Sequence, residues 1–239
     1  MRGWRAGRGD DRGVARLTMA RPLRHAEPWA PLYRAGHAAV TAWARALNGF
    51  EVAGRGNVPD ARGCLVVCNH LADPDGMYVG AALPPPPRTV QHLVTARHHE
   101  SSSLVRELLL RLGLEPVRTD GTEISALRHA RRAMQQGGIV VIYPEGVPGY
   151  SARVQPFAPG AAWLALTPGI DVLPTAIWGS HRVMRAGLPV GHGPVRVAFG
   201  RALAMDDLTG SRSQRVQAAA ARVRSGVQRL VSGLASGPG

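Results

Sequence analysis

The sequence contains no lysine, and all 29 of its basic side chains are arginine. Against 16 acidic residues this gives a formal net charge of +13, which favours anionic partners such as nucleic acid, anionic lipid or phosphorylated compounds. Aromatic residues make up only 5% of the chain. Nucleic-acid binding usually adds stacking aromatic residues or a recognisable motif to a basic surface, and this sequence shows neither. The composition therefore predicts no nucleic-acid partner and leaves an anionic membrane surface or a phosphorylated ligand.

Cysteine is also scarce, and the two cysteines, Cys64 and Cys68, lie in one apolar run. Residues four apart on a strand share a face, but a single strand brings no further metal ligands and separates the two sulfurs too far for a disulfide. We expect buried thiols in a reducing compartment. The adjacent His98 and His99 have no acidic partners at ligand spacing. No metal site and no cofactor are therefore predicted.

Long hydrophobic runs are absent, since no stretch reaches the ~20 uncharged apolar residues that cross a bilayer. Residues 1–24 are basic and glycine-rich and lack the apolar core of a secretory signal. They are predicted to form a disordered arm, and translation from Met19 instead of Met1 is left open. The expected location is the cytoplasmic face of a membrane, where the protein binds peripherally.

Residues 25–49 are predicted to contain an amphipathic helix. Its cationic and polar positions, Arg34, His37, Thr41 and Arg45, fall opposite an apolar stripe. A helix of this kind either lies in the plane of a membrane surface or packs its stripe on the rest of the protein, and the sequence leaves both interpretations open. The stripe consists of Trp29, Leu32, Tyr33, Gly36, Val40, Trp43 and Leu47.

The remainder, residues 50–239, alternates strand-like runs with helical patterns and contains no linker that would divide it. This alternation predicts a single α/β domain with a mixed, mostly parallel sheet and helices on its faces, in addition to the N-terminal amphipathic helix. Ligands of such sheets gather at the carboxyl ends of the strands. The runs are FEVAG, CLVVC, VQHLVT, LEPV, GIVVIY, VLPTAIW and VRVAFG, and the helical patterns lie near 29–47, 74–82, 101–112, 122–136, 157–167 and 211–234.

The stretch CLVVCNHLADPDGMYV ends an apolar strand at a histidine. Asp73 is predicted to be the N-cap of the following helix and Pro74 its first residue, which puts Asp75 in the first turn. Within one helix, residues five apart lie about 140° apart around the axis, but the break lets His70 fold back onto Asp75. The carboxylate then holds one ring nitrogen and leaves the other as a base. Alone, this spacing also fits an ordinary loop histidine beside a helix-terminal carboxylate.

A second motif removes that ambiguity. YPEG, at 143–146, follows the apolar strand GIVVIY and precedes a helix rich in glycine and alanine. Together with CNHLADPD it resembles the phospholipid and glycerol acyltransferase family, which includes 1-acyl-sn-glycerol-3-phosphate acyltransferase-like proteins. The NHxxxxD motif of that family matches Asn69, His70 and Asp75, its FPEG motif matches 143–146, and its apolar run with a proline matches VLPTAIW. The resemblance extends from about Phe50 to Leu203.

The resemblance implies a glycerophospholipid O-acyltransferase. The enzyme would move a fatty acyl group from acyl-CoA or acyl-carrier protein to a hydroxyl of a lysophospholipid-type acceptor such as 1-acyl-glycerol-3-phosphate. His70 would be the general base and Asp75 would orient it, while Asn69, Glu145 and Gly146 would bind substrate. Glu145 suits holding its own turn equally well. Two alternatives stay open: an acyltransferase that uses an unphosphorylated or other lipid acceptor, and a non-catalytic basic membrane-surface protein.

The two arginines that the family uses near the substrate are displaced in this sequence. In GLEPVRT, Arg118 follows Val117 directly instead of one residue later, a shift that reverses the face of a strand. In the third motif Val147, Pro148 and Gly149 replace the usual threonine, arginine and serine. The resemblance therefore leaves Arg118 and the downstream Arg153 as candidates for binding the acceptor phosphate.

A serine hydrolase is the rival enzyme class. Ser151 lies in GYSAR, but this stretch lacks the second glycine of GxSxG and does not form a strand-to-helix elbow. The sequence therefore gives no support to this class.

Overall fold

The computed structural model describes residues 30–83, 90–95, 114–117, 123–185, 188–189 and 191–237. The strands are β1 (Glu51–Ala53), β2 (Cys64–Cys68), β3 (Val90–Thr95), β4 (Leu114–Val117), β5 (Ile139–Ile142), β6 (Asp171–Trp178), β7 (Met184–Arg185), β8 (Leu188–Pro189) and β9 (Arg196–Phe199). The helices are α1 (Ala30–Asn48), α2 (Asp75–Ala82), α3 (Glu123–Gln135), α4 (Pro159–Ala165), the single turn α5 (Ser180–Val183) and α6 (Arg212–Ser236), and a 3-10 turn spans Arg55–Asn57.

Seven strands form one sheet in the order β1-β9-β6-β2-β5-β3-β4, and β7 pairs with β8. From β6 to β4 the neighbouring strands are parallel, whereas β9 is antiparallel to β6 and β1 is parallel to β9. Parallel neighbours require crossover connections, which put helices on the faces of the sheet. The predicted α/β domain with a mixed, mostly parallel sheet is confirmed.

The alternation of side chains along β2 divides the core into two layers. Cys64, Val66 and Cys68 face a layer that contains Tyr78 of α2 and residues of α1. Leu65 and Val67 face the layer formed by α3, α4 and α6. All five residues of β2 are buried because helices cover both faces of the sheet. Both cysteines are buried thiols that form no disulfide within the described residues, as expected for core thiols.

Helix α1 uses its apolar stripe to pack on the domain. Tyr33 is buried, and the Trp43 ring lies 5.6 Å from the Tyr78 ring of α2. His37, expected on the polar side, lies 3.2 Å from the Leu83 carbonyl through Nε2. Leu47 is the exception, since it is 58% exposed. The packing interpretation thus accounts for most of the described stripe, and membrane binding by this helix stays a prediction.

The seven predicted strands all occur, and their ends agree with the prediction to within one residue. Several other predictions concern parts of the chain outside the described residues: the arm at 1–24, Trp29, the histidines at 98 and 99, the helix at 101–112 and Arg118. Within the described ranges, none of the helices has the length and apolar composition that crossing a bilayer requires.

Candidate active site

Three neighbouring parallel strands end at the same edge of the sheet. His70 lies two residues after β2, Tyr143 directly follows β5, and Gly179 directly follows β6. In the order β6-β2-β5 the end of β2 is central. The carboxyl edge of a parallel sheet is where ligands bind in such folds, so the topology places His70 in the middle of the expected site.

His70 and Asp75 are in contact. His70 Nδ1 lies 2.8 Å from Asp75 Oδ2, and the same oxygen accepts hydrogen bonds from the backbone N–H groups of Leu71 (2.6 Å) and Ala72 (3.0 Å). The Asp75 side chain is fully buried, while 18% of the His70 side chain is exposed. Because an ionised carboxylate only accepts, Nδ1 of the neutral ring carries the proton and Nε2 keeps its lone pair. The geometry provides an oriented base.

The helix start that delivers Asp75 differs from the sequence prediction. Asp73 is not the N-cap, because α2 begins at Asp75 and Pro74 occupies the cap position. The Asp75 N–H donates to the Ala72 carbonyl over 3.1 Å, which closes a turn just before the helix. No side chain caps this helix, and the Asp75 carboxylate instead accepts the backbone N–H groups of the preceding loop. The loop folds around the carboxylate, and this brings His70 back to it.

Glu145 holds the backbone of His70. Its Oε1 accepts the His70 N–H and its Oε2 accepts the Gln155 N–H, both over 2.9 Å. The Gly149 N–H donates to the His70 carbonyl over 2.8 Å, so the loop after β5 binds both polar groups of the His70 backbone. Burial raises the pKa of Glu145, and these backbone hydrogen bonds act in the opposite direction. Of the two roles left open for Glu145, these contacts favour the structural one.

Asn69, predicted to bind substrate, forms its hydrogen bonds with β6 in this structure. Its side-chain Nδ2 donates to the Ile177 carbonyl over 3.1 Å, and its Oδ1 accepts the Ile177 N–H over 2.9 Å. The residue is buried. The amide therefore pairs with one peptide unit of β6 and fastens the end of β2 to it. Its position next to His70 makes it a positioning residue.

Gly146 and Arg153 lie on the same loop as Glu145. Gly146 has a φ of 75°, a left-handed conformation that favours glycine, and open space surrounds the position of an added Cβ. Arg153 is exposed. The backbone of its two neighbours binds α6, since Gln228 Nε2 donates to the Ala152 carbonyl and the Val154 N–H donates to Gln228 Oε1. These bonds hold the segment on both sides of Arg153.

Three polar side chains near the pair were not predicted as site residues from the sequence, although Tyr143 belongs to the YPEG motif. The Tyr143 ring lies 4.9 Å from the His70 ring. His92, in the middle of β3, is buried, and His181 packs on the Trp178 ring at 4.9 Å. The sequence VQHLVT contained a signal for His92. Along a strand, side chains alternate between the two faces, so His92 lies on the opposite face from Gln91 and Leu93. Within the described residues, no group of three or more His, Cys, Asp or Glu side chains could hold a metal ion.

Comparison with known proteins agrees with the fold and the motifs. A protein-family model described as Acyltransferase matches residues 49–178, a range that contains His70, Asp75 and Glu145. A chloroplastic 1-acyl-sn-glycerol-3-phosphate acyltransferase, BAT2 of Brassica napus, is 30% identical over 78 residues. That alignment covers 32% of this chain and only 23% of the plant protein.

The structure is similar to the crystal structure of the 1-acyl-sn-glycerophosphate acyltransferase PlsC from Thermotoga maritima. The TM-score is 0.68, and the alignment covers 88% of this chain and 81% of that chain. Sequence identity over this alignment is 19%, so the likeness shows a shared fold.

Proposed function

This chain belongs to the acyltransferase family, and we propose that it transfers a fatty acyl group from a thioester to a hydroxyl of a glycerol-based lipid precursor. The sequence-based assignment to the family is thereby confirmed. The observation that carries the proposal is the contact between His70 Nδ1 and Asp75 Oδ2 at the carboxyl edge of the sheet. It leaves one ring nitrogen of a partly exposed histidine available as a base.

In the proposed reaction His70 Nε2 takes the proton of the acceptor hydroxyl as its oxygen attacks the thioester carbonyl. The tetrahedral intermediate then breaks its carbon–sulfur bond, and the imidazolium returns the proton to the departing sulfur. Asp75 keeps the proton of the neutral ring on Nδ1 and stabilises the imidazolium. No serine nucleophile is needed, because the acceptor supplies the attacking oxygen.

We propose acyl-CoA or acyl-carrier protein as donor and a phosphorylated acceptor such as 1-acyl-glycerol-3-phosphate. The names of the plant and bacterial relatives support this class of acceptor. An unphosphorylated acceptor is the second candidate, because Val147, Pro148 and Gly149 replace the threonine, arginine and serine of the family motif. Such acceptors lie in membranes, so we propose that the protein acts as a peripheral protein at the cytoplasmic face.

The test is a thioester-consumption assay on the full chain with both donors and with phosphorylated and unphosphorylated acceptors. His70→Ala removes the base, and Asp75→Asn removes the negative charge that stabilises the imidazolium, so each is expected to lower kcat by about 10²- to 10⁴-fold. His192→Ala is the control, since His192 is exposed on a loop. A folded His70→Ala protein with normal turnover would falsify the mechanism.

Acceptor recognition is tested at Arg153. We propose that Arg153 binds the acceptor phosphate, because its loop begins at Glu145 and contacts His70, and because a guanidinium binds phosphate with two hydrogen bonds. Arg153→Ala should raise KM for a phosphorylated acceptor about tenfold, as expected for one charge-assisted contact, and leave KM for the donor unchanged. The control is Arg201→Ala, another exposed arginine. An unchanged acceptor KM would exclude Arg153 and leave Arg118 as the candidate.

A further inference from the structure

Of the buried side-chain atoms without a hydrogen-bond partner within the described part of the chain, three belong to Asp75 or to residues next to Gly76. They are Asp75 Oδ1, the Tyr143 hydroxyl and His92 Nδ1. The side chains come from three neighbouring elements, since Asp75 starts α2, Tyr143 follows β5 and His92 lies on β3. Buried polar groups without a protein partner are usually satisfied by an ordered water molecule that bonds to two to four of them.

Two of these atoms, His92 Nδ1 and the Tyr143 hydroxyl, lie close to Gly76. A Cβ atom added at Gly76 would lie 3.8 Å from His92 Nδ1 and 3.9 Å from the Tyr143 hydroxyl. The third atom belongs to Asp75, the residue that precedes Gly76. Burial raises the pKa of Tyr143, and the charges of Cys68 and Asp75 raise it further, which places the phenol within electrostatic range of the carboxylate.

We propose that Asp75 Oδ1, the Tyr143 hydroxyl and His92 Nδ1 bind one internal water molecule, and that Tyr143 and His92 are positioning residues for Asp75. Asp75 Oδ2 already accepts three hydrogen bonds, so a donor on Oδ1 fixes the plane of the carboxylate that faces His70. Tyr143 occupies the position at which the family motif has phenylalanine, which has no hydroxyl. The water site is therefore a property of this sequence rather than of the motif.

A pair of glycine substitutions distinguishes a functional role of this water from a purely structural role of the residues around it. Gly76→Ala puts a methyl group next to two of the polar atoms, His92 Nδ1 and the Tyr143 hydroxyl, whereas Gly80→Ala puts one 3.4 Å from Nε2 of the same histidine ring. Both distances are normal van der Waals contacts, and alanine favours a helix more than glycine does. A purely structural role predicts that both variants are stable and active. The proposal predicts that only Gly76→Ala loses activity.

Tyr143→Phe is the second variant, because it removes the hydroxyl and keeps the ring beside His70. The proposal, whose kinetic part rests on the proposed acyl transfer, predicts that kcat of Tyr143→Phe and of Gly76→Ala falls about tenfold, a fraction of the full general-base contribution. KM for donor and acceptor should not change. Since both changes remove the same water, the double variant should lose no more than either single variant.

A crystal structure of the wild-type protein at high resolution supplies a readout that does not need the reaction. Electron density for one water bonded to Asp75 Oδ1, the Tyr143 hydroxyl and His92 Nδ1 supports the proposal, and the absence of a water that bridges these three atoms overturns it. Equal kcat values for the Gly76→Ala and Gly80→Ala proteins, or full kcat in Tyr143→Phe, also overturn it. A wild-type protein with the water but without acyl transfer would instead contradict the proposed function.

Discussion

At the scale of single residues, the position of His70 is fixed by three polar side chains that form hydrogen bonds with the backbone around it. Glu145 accepts the His70 N–H, Asp75 accepts the N–H groups of the next two residues, and Asn69 pairs with the Ile177 peptide. Buried carboxylates and amides are costly unless they are hydrogen-bonded. Each of these groups thus gains its partner from the backbone that it positions, and the histidine is held on both sides.

His92 provides a prediction about acid stability. Burial lowers the pKa of His92 from 6.5 to about 4, so below pH 6.5 the unfolded chain binds a proton that the folded chain rejects. The free energy of unfolding therefore falls as the pH drops from 6.5 towards 4, and this residue contributes a loss of up to about 3 kcal/mol. His92→Gln removes this titration and should make the loss smaller.

Urea unfolding at pH 7 and pH 4.5 measures the effect of His92→Gln. The matched control is His192→Gln, because His192 is exposed and should leave the pH dependence unchanged. The prediction is wrong if the wild-type and His92→Gln proteins lose the same free energy of unfolding between the two pH values.

At the scale of secondary structure, the C-terminal end of α2 is closed by an arginine from a different segment. Arg55 Nε donates to the Ala82 carbonyl over 2.7 Å, and its Nη2 donates to the Ala81 and Leu83 carbonyls over 3.0 and 3.3 Å. The last carbonyls of a helix lack intrahelical partners and carry partial negative charge. The guanidinium supplies donors for these carbonyls and a positive charge near them, so the helix that begins at Asp75 is fixed at its other end.

Arg55→Ala is therefore expected to lower the free energy of unfolding by about 1 kcal/mol, because hydrogen bonds from a charged group to three carbonyls are lost. Arg55→Lys should recover only part of this, since an ammonium lacks the planar fork. Arg34→Ala, at an exposed position of α1, is the control. Chemical unfolding followed by circular dichroism gives the values, and equal stability of Arg55→Ala and the control would contradict the capping role.

At the scale of the whole molecule, charge and the outer face of α1 bear on membrane binding. The formal net charge is +13. Most of the apolar stripe of α1 packs inward, and the outward side exposes Leu47 and the cations Arg34 and Arg45 among alanines. This surface favours adsorption driven by charge, with a small apolar contribution, over deep insertion.

We therefore predict that the full chain binds vesicles containing anionic lipid and that salt weakens the binding. Each arginine near the surface contributes about 1 kcal/mol at low ionic strength, and screening reduces this as salt rises. Flotation with anionic and neutral vesicles at low and high salt measures the binding. Equal recovery with both kinds of vesicle would show that charge has no such role.

The sequence by itself determined the strands of the seven-stranded sheet, the α/β class and the contact between His70 and Asp75, but not the short pair β7 and β8. These follow from signals within a few residues: apolar runs of strand length, helical periodicity, and a break that brings residues five apart together. The start of α2 was not determined in this way, since Asp73 was predicted as its N-cap and Pro74 occupies that position. The Asp75 carboxylate found its donors in the loop behind it, and this preference moved the helix start past Asp73.

Only the tertiary structure decided what holds the site and what surrounds it. Glu145 reaches His70 across 75 positions of the chain and Asn69 reaches Ile177 across 108, and no local pattern encodes such pairs. They depend on which strands are neighbours and on their register, since the pairing of Cys68 with Thr175 brings Asn69 alongside the end of β6. The burial of His92 likewise depends on the packing of α2 against β3. The sequence of β3 alone does not specify which helix covers it.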